Sequence, residues 1–393
     1  MKPPLVYGIQ QIGFGPAGLG IIAVADREGR LTDLNKIGLA IHEKKINNSW
    51  NNFHLDLDIE SNTPANFFIS HFNRSGIFKP AFGTDLFNNL ESHGASNCLL
   101  SSANKFLSEM ALLSEGYINS INNSDIFFNS HIKQIVLDDN GLYHTTNEMG
   151  VKCTSKTLLF CTGSLEANLS AYGNYINSSD ILRGKIDEYI FEKLTNIGSI
   201  TIIGASHSAF SCALRVLYLK KQYQISAKVN IIARKKPKIY FENIESAINS
   251  NYILDDEDQI LPNGTINESA GLRGKAAKLA LDVMTGLEQD LTIIAPNIPY
   301  CINDSLVVNA TGYQPHPVNL IRENGEQIRL NRLNDCYVID QNYRILDENG
   351  LPIVGLFGLG IGFYRSDEFK KFSSVDDFLG HGAKTIFDQL LKD

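Results

Sequence analysis

One stretch near the start of the chain limits its fold more than any other. Residues 5–12 read as a buried strand, Gly13-Phe14-Gly15-Pro16-Ala17-Gly18 as a glycine turn and residues 19–26 as a helix. In that order the three make the form in which a polypeptide holds the pyrophosphate of a dinucleotide. Gly13 permits the tight turn, Gly15 lets the backbone approach phosphate, and Gly18 lets the helix pack on the strand, so that free amides at the helix start face the anion. Pro16 suits the first helical turn, where its missing donor costs nothing. Glycine patterns also arise by chance, so the context carries the reading. A second apolar strand, residues 37–41, ends in His42-Glu43, and Glu43 lies thirty positions past Gly13, where a carboxylate accepts both hydroxyls of a ribose. One feature resists: Gln10 and Gln11 occupy a strand that should be apolar on both faces.

A chain of 393 residues with 43% hydrophobic residues has room for two or three domains with real cores. A net charge of −8 leaves no basic surface for nucleic acid, and the aromatic residues are not interleaved with Lys and Arg. The six cysteines, at 98, 153, 161, 212, 301 and 336, form no CxxC pair and no metal-ligand spacing. That scatter fits a reducing cytoplasm. No apolar run approaches the roughly 18 to 20 residues that span a bilayer, and Met1-Lys2-Pro3-Pro4 leads straight into a strand, so no membrane segment or signal peptide is expected.

Residues 44–82 are polar and aromatic without helical or strand periodicity, and read as long loops and short helices following the ribose-binding strand. Lys44 and Trp50 are placed beside the cofactor on this reading; Trp50 and the Phe67-Phe68 pair serve equally well as core. A helix over 103–119 precedes a small meander, with Asp138-Asp139-Asn140-Gly141 as its hairpin turn. Residues 157–160 then form a buried strand that ends in Cys161-Thr162-Gly163 and closes the first nucleotide-binding half.

The pattern restarts with a strand at 199–203, the small-residue turn Gly204-Ala205-Ser206-His207-Ser208-Ala209, a helix at 210–219 and a strand at 228–233 ending in Arg234-Lys235-Lys236. Arg234 lies thirty positions past Gly204, the spacing of Glu43 from Gly13. At a ribose a carboxylate suits a free 2′-hydroxyl, whereas an arginine suits a 2′-phosphate. The first turn therefore reads as an FAD site and the second as an NADPH site. Ser206 replaces the middle glycine, with a hydroxyl able to bond phosphate, and Ala209 the third. His207 either orients the nicotinamide or the pyrophosphate, or is a surface donor.

Asp255-Asp256-Glu257-Asp258 reads as a solvated loop and not a metal site, and 274–284 as an amphipathic helix. A strand at 306–309 leads into Ala310-Thr311-Gly312-Tyr313, a second Thr-Gly turn. Residues 351–358 lead to Leu359-Gly360-Ile361-Gly362, read as a strand-to-helix junction with free amides, and a last helix falls near 375–391.

In this order the Gly13 turn with Glu43, Cys161-Thr162-Gly163, the Gly204 turn, Asn309-Ala310-Thr311-Gly312-Tyr313 and Gly358-Leu359-Gly360 resemble the two-dinucleotide-binding-domain flavoproteins. Among these the chain is most similar to the class B flavin-dependent monooxygenases, including the lysine and ornithine N-hydroxylases. The resemblance implies an α/β fold of two Rossmann-like three-layer domains, of the glutathione-reductase type. Residues 1–190 and 304–393 would form a discontinuous FAD domain and 191–303 an inserted NADPH domain. It implies that NADPH reduces the flavin, that reduced flavin and dioxygen form a C(4a)-hydroperoxide, and that a small amine or amino acid takes the distal oxygen. It places Asn309, Thr311, Gly312, Tyr313, Gly360 and Ile361 on the cofactors. Asn62, in Ser61-Asn62-Thr63-Pro64, resembles the asparagine that steadies the peroxide in flavin monooxygenases, while the lysine often found nearby is absent; His54 belongs either there or in the substrate pocket. The alternative is a thiol-independent NAD(P)H-dependent flavin reductase that passes electrons to a quinone or a protein partner. A disulfide reductase would need the missing CxxC. A homo-oligomer is compatible with the sequence and not indicated by it.

Overall fold

The computed structural model describes residues 6–46, 57, 59–169, 174–184, 186–268, 271–295, 305–333, 335–365, 371–372 and 375–392. Two parallel sheets organise these residues. In the first, the strand Val6–Ile12 lies between Leu39–His42 and Lys152–Phe160, with Asp125–Phe127 and Pro352–Gly358 outside them, all parallel. Ile9, Leu39, Ile41, Leu158 and Leu159 are fully buried, as strands covered on both faces require. The helix Gly20–Arg27 packs on this sheet after a 3-10 turn, Pro16–Leu19, which has proline at its start. The N-terminal half of Lys152–Phe160 also pairs antiparallel with Tyr143–Asn147, and that strand with Ile132–Leu137, forming the expected meander.

The second sheet runs Tyr175–Asn177, Leu306–Asn309, Ser199–Ile203, Lys228–Ile232, Leu291–Ile294, again all parallel. The helices His207–Gln222 and Gly274–Met284 cover it around a separate apolar core. Sheet membership corrects the expected boundaries at 190/191 and 303/304. Tyr175–Asn177 and Leu306–Asn309 are strands of the second sheet, and Ile181 and Ile190 lie in its core and not in the first. An antiparallel ribbon, Ser164–Glu166 with Tyr313–Pro315, links the units.

The aromatic stretch after Glu43 is in part plain core: Phe68, Phe72 and Phe78 are buried, and Phe72 meets Phe78 edge-on at 4.9 Å. The acidic run is not wholly solvated. Asp258 accepts from Tyr252 Oη and Asn267 Nδ2, both at 2.7 Å, and pairs with Lys236 at 3.0 Å. Burial alone would raise its pKa, but these donors outweigh that and hold the carboxyl at about 2. The segment Gly360-Ile361-Gly362 also departs from expectation, since it turns into the strand Phe363–Arg365 and not into a helix. Among the described residues Cys98, Cys153, Cys161, Cys212 and Cys336 are buried, no cluster could hold a metal ion, and no helix is long and apolar enough to cross a membrane.

Candidate functional site

Both glycine turns stand at the carboxyl ends of their sheets and are built to one plan. In the first sheet Ile12 is in register with His42 and Phe160, and Phe160 with Gly358. In the second, Ile203 is in register with Ile232 and Asn309. The next residues, Gly13 and Gly204, donate their amides to the carbonyls of His42 (2.8 Å) and Ile232 (3.0 Å). Each has a positive φ, +96° and +131°, and a Cβ on either would collide with a carbonyl of the neighbouring Thr-Gly turn, Cys161 or Ala310. Crevices of this kind, at the carboxyl ends of parallel strands, are where α/β sheets bind nucleotides.

At the first turn nothing lies within 4 Å of where a Gly15 Cβ would be, which leaves the backbone open to an anion. Glu43 is 6% exposed, its two oxygens accepting from the amides of Phe14 (2.8 Å) and Lys45 (2.9 Å). A carboxylate has about four lone-pair positions, so two remain for ribose hydroxyls. Gly360 packs its Cα side against Ala17, bringing Gly360 and Ile361 to the same turn. Cys161 is buried, Gly163 has φ +66°, and Lys44 is exposed. This donor set fits a dinucleotide with free ribose hydroxyls.

Gln10 and Gln11 find partners that only the tertiary structure supplies. Gln10 Oε1 accepts from Thr145 Oγ1 at 2.6 Å, fixing the strand to the meander. Gln11 Nε2 donates to the carbonyls of Gly13 and Gly18, both at 3.0 Å, and so braces the base of the glycine turn. A Cβ on Gly18 would fall 2.7 Å from that nitrogen, so the third glycine makes room for the amide as well as for helix packing.

In the second unit the equal spacing misleads by one position. Because Ile232 is the counterpart of His42, Ala233 stands in the place of Glu43, and Arg234 in that of Lys44. A small residue there removes the carboxylate that would repel a 2′-phosphate. Arg234 is exposed and, among the described residues, has no ion-pair partner. It lines a cavity of about 710 Å³ with Lys235, Lys236, Met284 and Ile293. Ser206 is exposed and makes no capping bond to the helix it precedes, leaving its hydroxyl available.

Other anticipated residues make bonds within the protein. Asn309 donates to the carbonyl of Ala167 (2.6 Å) and accepts from Thr311 Oγ1 (2.8 Å), tying down the linking ribbon. Gly312 has φ +105°, and the Tyr313 hydroxyl meets Ser208. His207 Nε2 contacts the carbonyl of Glu60 at 2.7 Å, and Asn62 Nδ2 donates to the carbonyl of Gly271 at 3.1 Å; both belong to the seam between the units. Trp50 and His54 lie outside the described residues.

His42 is 2% exposed beside Glu43, and burial pushes its pKa down to about 4. The unfolded chain takes up a proton below the usual 6.5 while the folded chain refuses it, so stability is intact above pH 6.5 and falls as the pH drops toward 4. The expected loss is about 3 kcal/mol. Asp377, which burial pushes up to about 6, acts with opposite sign in wild type and variant alike and cancels in their difference. In urea unfolding at pH 4 to 7 the stability of His42→Gln relative to wild type should therefore rise by about 3 kcal/mol as the pH falls from 7 to 4; a difference independent of pH would refute the assignment.

No protein-family model matches the chain. The CMP-5′-(3-aminopropyl)phosphonate hydroxylase of Streptomyces rubellomurinus is 27% identical over 195 residues, which cover 44% of this chain and 43% of that protein. The match thus spans less than half the length of that relative. Among solved structures, L-lysine 6-monooxygenase from Pseudomonas syringae superposes with a TM-score of 0.61 at 15% identity, covering 98% of this chain and 99% of that one. The FAD-bound cadaverine monooxygenase DfoA of Erwinia amylovora gives 0.59 at 15% identity over 98% and 92%. The reduced ornithine hydroxylase PvdA of Pseudomonas aeruginosa gives 0.59 at 13% over 99% of both chains. The fold is therefore the mixed α/β fold of these three proteins, with its two parallel nucleotide-binding-type sheets.

Proposed function

We propose that the protein is an FAD- and NADPH-dependent monooxygenase that places one oxygen atom of dioxygen on the nitrogen of a small amine or amino acid. The carrying observation is the pair of glycine turns built to one plan, with Glu43 at the first and Ala233-Arg234 at the second. Phosphates of FAD would meet the turn at Gly15, and its ribose Glu43; the 2′-phosphate of NADPH would meet Arg234, with Ser206 at the pyrophosphate. The bound flavin supplies hydride acceptance and oxygen activation, and the chain positions both nucleotides and shields the reaction from water. The relatives support an amine substrate, since cadaverine, lysine, ornithine and an aminopropyl group each carry a primary amine.

The balance is one NADPH, one proton, one dioxygen and one amine giving NADP⁺, water and a hydroxylamine. A panel of amines, amino acids and thioethers, scored for substrate-stimulated NADPH oxidation and by product mass, tests this. An amine that gains one oxygen atom is the expected result. NADPH oxidation that only reduces a quinone or protein partner would overturn it.

A further inference from the structure

The strand Glu60–Pro64 pairs with Asn97–Leu99 in a small ribbon that belongs to neither large sheet. Ile59 and Leu100, at its ends, pack against the core of the second unit. From this ribbon we infer that Glu60 is the positioning residue that docks the second nucleotide-binding unit on the first and so sets the separation of the two cofactor sites, an inference that rests on the two-cofactor reading above.

Glu60 reaches both helices of the second unit. Its backbone carbonyl contacts His207 Nε2, and since a carbonyl has no proton to give, the ring nitrogen is the donor. Burial holds the His207 pKa below the usual histidine range, which keeps the ring neutral with a bare lone pair on Nδ1. The Glu60 carboxylate accepts from the amide of Lys275 at 2.8 Å, in the first turn of Gly274–Met284, where backbone amides have no partner within the helix. The accompanying ion pair to Lys275 Nζ, 3.3 Å long, is mostly exposed and adds little. Gly274 has φ +56°, and a Cβ there would overlap Glu60 Oε2. The helix start is thus shaped around a carboxylate from the other unit. Two residues on, Asn62 Nδ2 bonds the carbonyl of Gly271.

The seam these contacts close is not sealed like a core. Among the described residues Asn62 Oδ1, Asn97 Nδ2 and His207 Nδ1, all buried there, have no hydrogen-bond partner. Each such group has given up water without a replacement bond, which weakens the docked arrangement. The covalent link between the units, the Ser164–Glu166 and Tyr313–Pro315 ribbon, is flanked by positive-φ glycines at 163 and 312, and two strands alone hold an angle weakly. A docked arrangement that carries unpaired polar groups on a two-stranded link depends on the few good bonds across it, and Glu60 makes a charged one. Hydride transfer is sensitive to such placement, because an error of about 1 Å can cost on the order of 100-fold in rate.

The test compares Glu60→Gln and Glu60→Ala with wild type by hydrogen exchange of residues 271–277 without added nucleotide, and by single-turnover flavin reduction with NADPH. Glu60→Ala should speed exchange at the start of the Gly274–Met284 helix by about 10- to 100-fold, the worth of a charge-assisted hydrogen bond. It should slow flavin reduction about 10-fold or more while flavin content and the Kd for NADP⁺ stay unchanged, since the backbone bond to His207 survives the substitution. Glu60→Gln keeps an acceptor and the side-chain length, and should fall between the two. Wild-type exchange at 271–277 in Glu60→Ala, or a reduction rate that falls only with lost NADP⁺ binding, would overturn the inference. A chain that binds neither cofactor refutes the two-cofactor reading instead, and the exchange result still decides whether Glu60 docks the units.

Discussion

Gly13→Ala is expected to yield a chain that neither retains flavin nor folds stably, and Gly15→Ala one that folds normally and still loses flavin. The contrast follows from what each added methyl would meet. At Gly13 the backbone φ of +96° is one that side chains rarely adopt, and the new Cβ would run into the Cys161 carbonyl. Gly13 and Cys161 directly follow adjacent parallel strands and the obstructing atom is a main-chain carbonyl, so neither can yield without disturbing the register Ile12–Phe160. Strain and collision together place the cost on the order of 4 kcal/mol, a large share of the stability of one domain. At Gly15 nothing lies within 4 Å, so the methyl is free in the protein and obstructs only an approaching phosphate. Gly204→Ala, with φ +131° and the Ala310 carbonyl in the way, should repeat the Gly13 result in the second unit. Calorimetry and the flavin-to-protein absorbance ratio read both effects. A Gly15→Ala protein with full flavin would mean that no pyrophosphate rests on the first turn.

These turns were legible because their signal is local. Gly13, Gly15 and Gly18 act through their own backbone, and Ser199–Ile203, Gly274–Met284 and Leu306–Asn309 announce themselves by apolar content or period over a few residues. What sequence could not show are bonds between distant positions. Gln10 and Gln11 stood out as polar residues in an apolar strand, but their partners, Thr145 and Gly18, are fixed by the meander and the turn once folded. Asp258 looked solvated within an acidic run because Asn267 and Tyr252, which enclose it, carry no charge to mark them. Glu60 and Asn97 gave no signal at all, since a short ribbon outside both sheets has neither period nor motif.

The spacing of Arg234 teaches a different lesson. Thirty residues separate it from Gly204 and Glu43 from Gly13, yet the register puts Ala233 where Glu43 stands. The connection between strands is one residue shorter in the second unit, so a match in sequence distance became an offset in space. The unit edges were missed for a related reason: Tyr175–Asn177 is only three residues long and pairs with Leu306–Asn309, whose partnership is invisible before folding.

That offset sharpens the expected effect of Arg234→Ala, which should weaken NADPH binding by about 10- to 100-fold and leave NADH within about 3-fold. Three cations end the strand Lys228–Ile232, and two are committed. Lys235 pairs with Glu257 at 2.9 Å, and Lys236 with Asp255 at 2.6 Å and Asp258 at 3.0 Å. Arg234 is exposed at the mouth of the adjoining cavity, and among the described residues no carboxylate competes for its guanidinium. With alanine preceding it, a dianionic 2′-phosphate meets a fork of donors and no carboxylate at the strand end, Glu288 being the acidic residue elsewhere in the cavity lining, whereas a 2′-hydroxyl gains little from the same fork. Ala233→Glu should therefore act in the reverse sense even with Arg234 present, because the new carboxylate both repels phosphate and draws the guanidinium to itself. The wild-type affinity for NADPH should fall with added salt, and that of Arg234→Ala should be nearly flat, since the interaction removed is the screened one. Fluorescence titrations of both nucleotides at two ionic strengths measure all of this, and an equal loss for NADPH and NADH would place the 2′-phosphate away from Arg234.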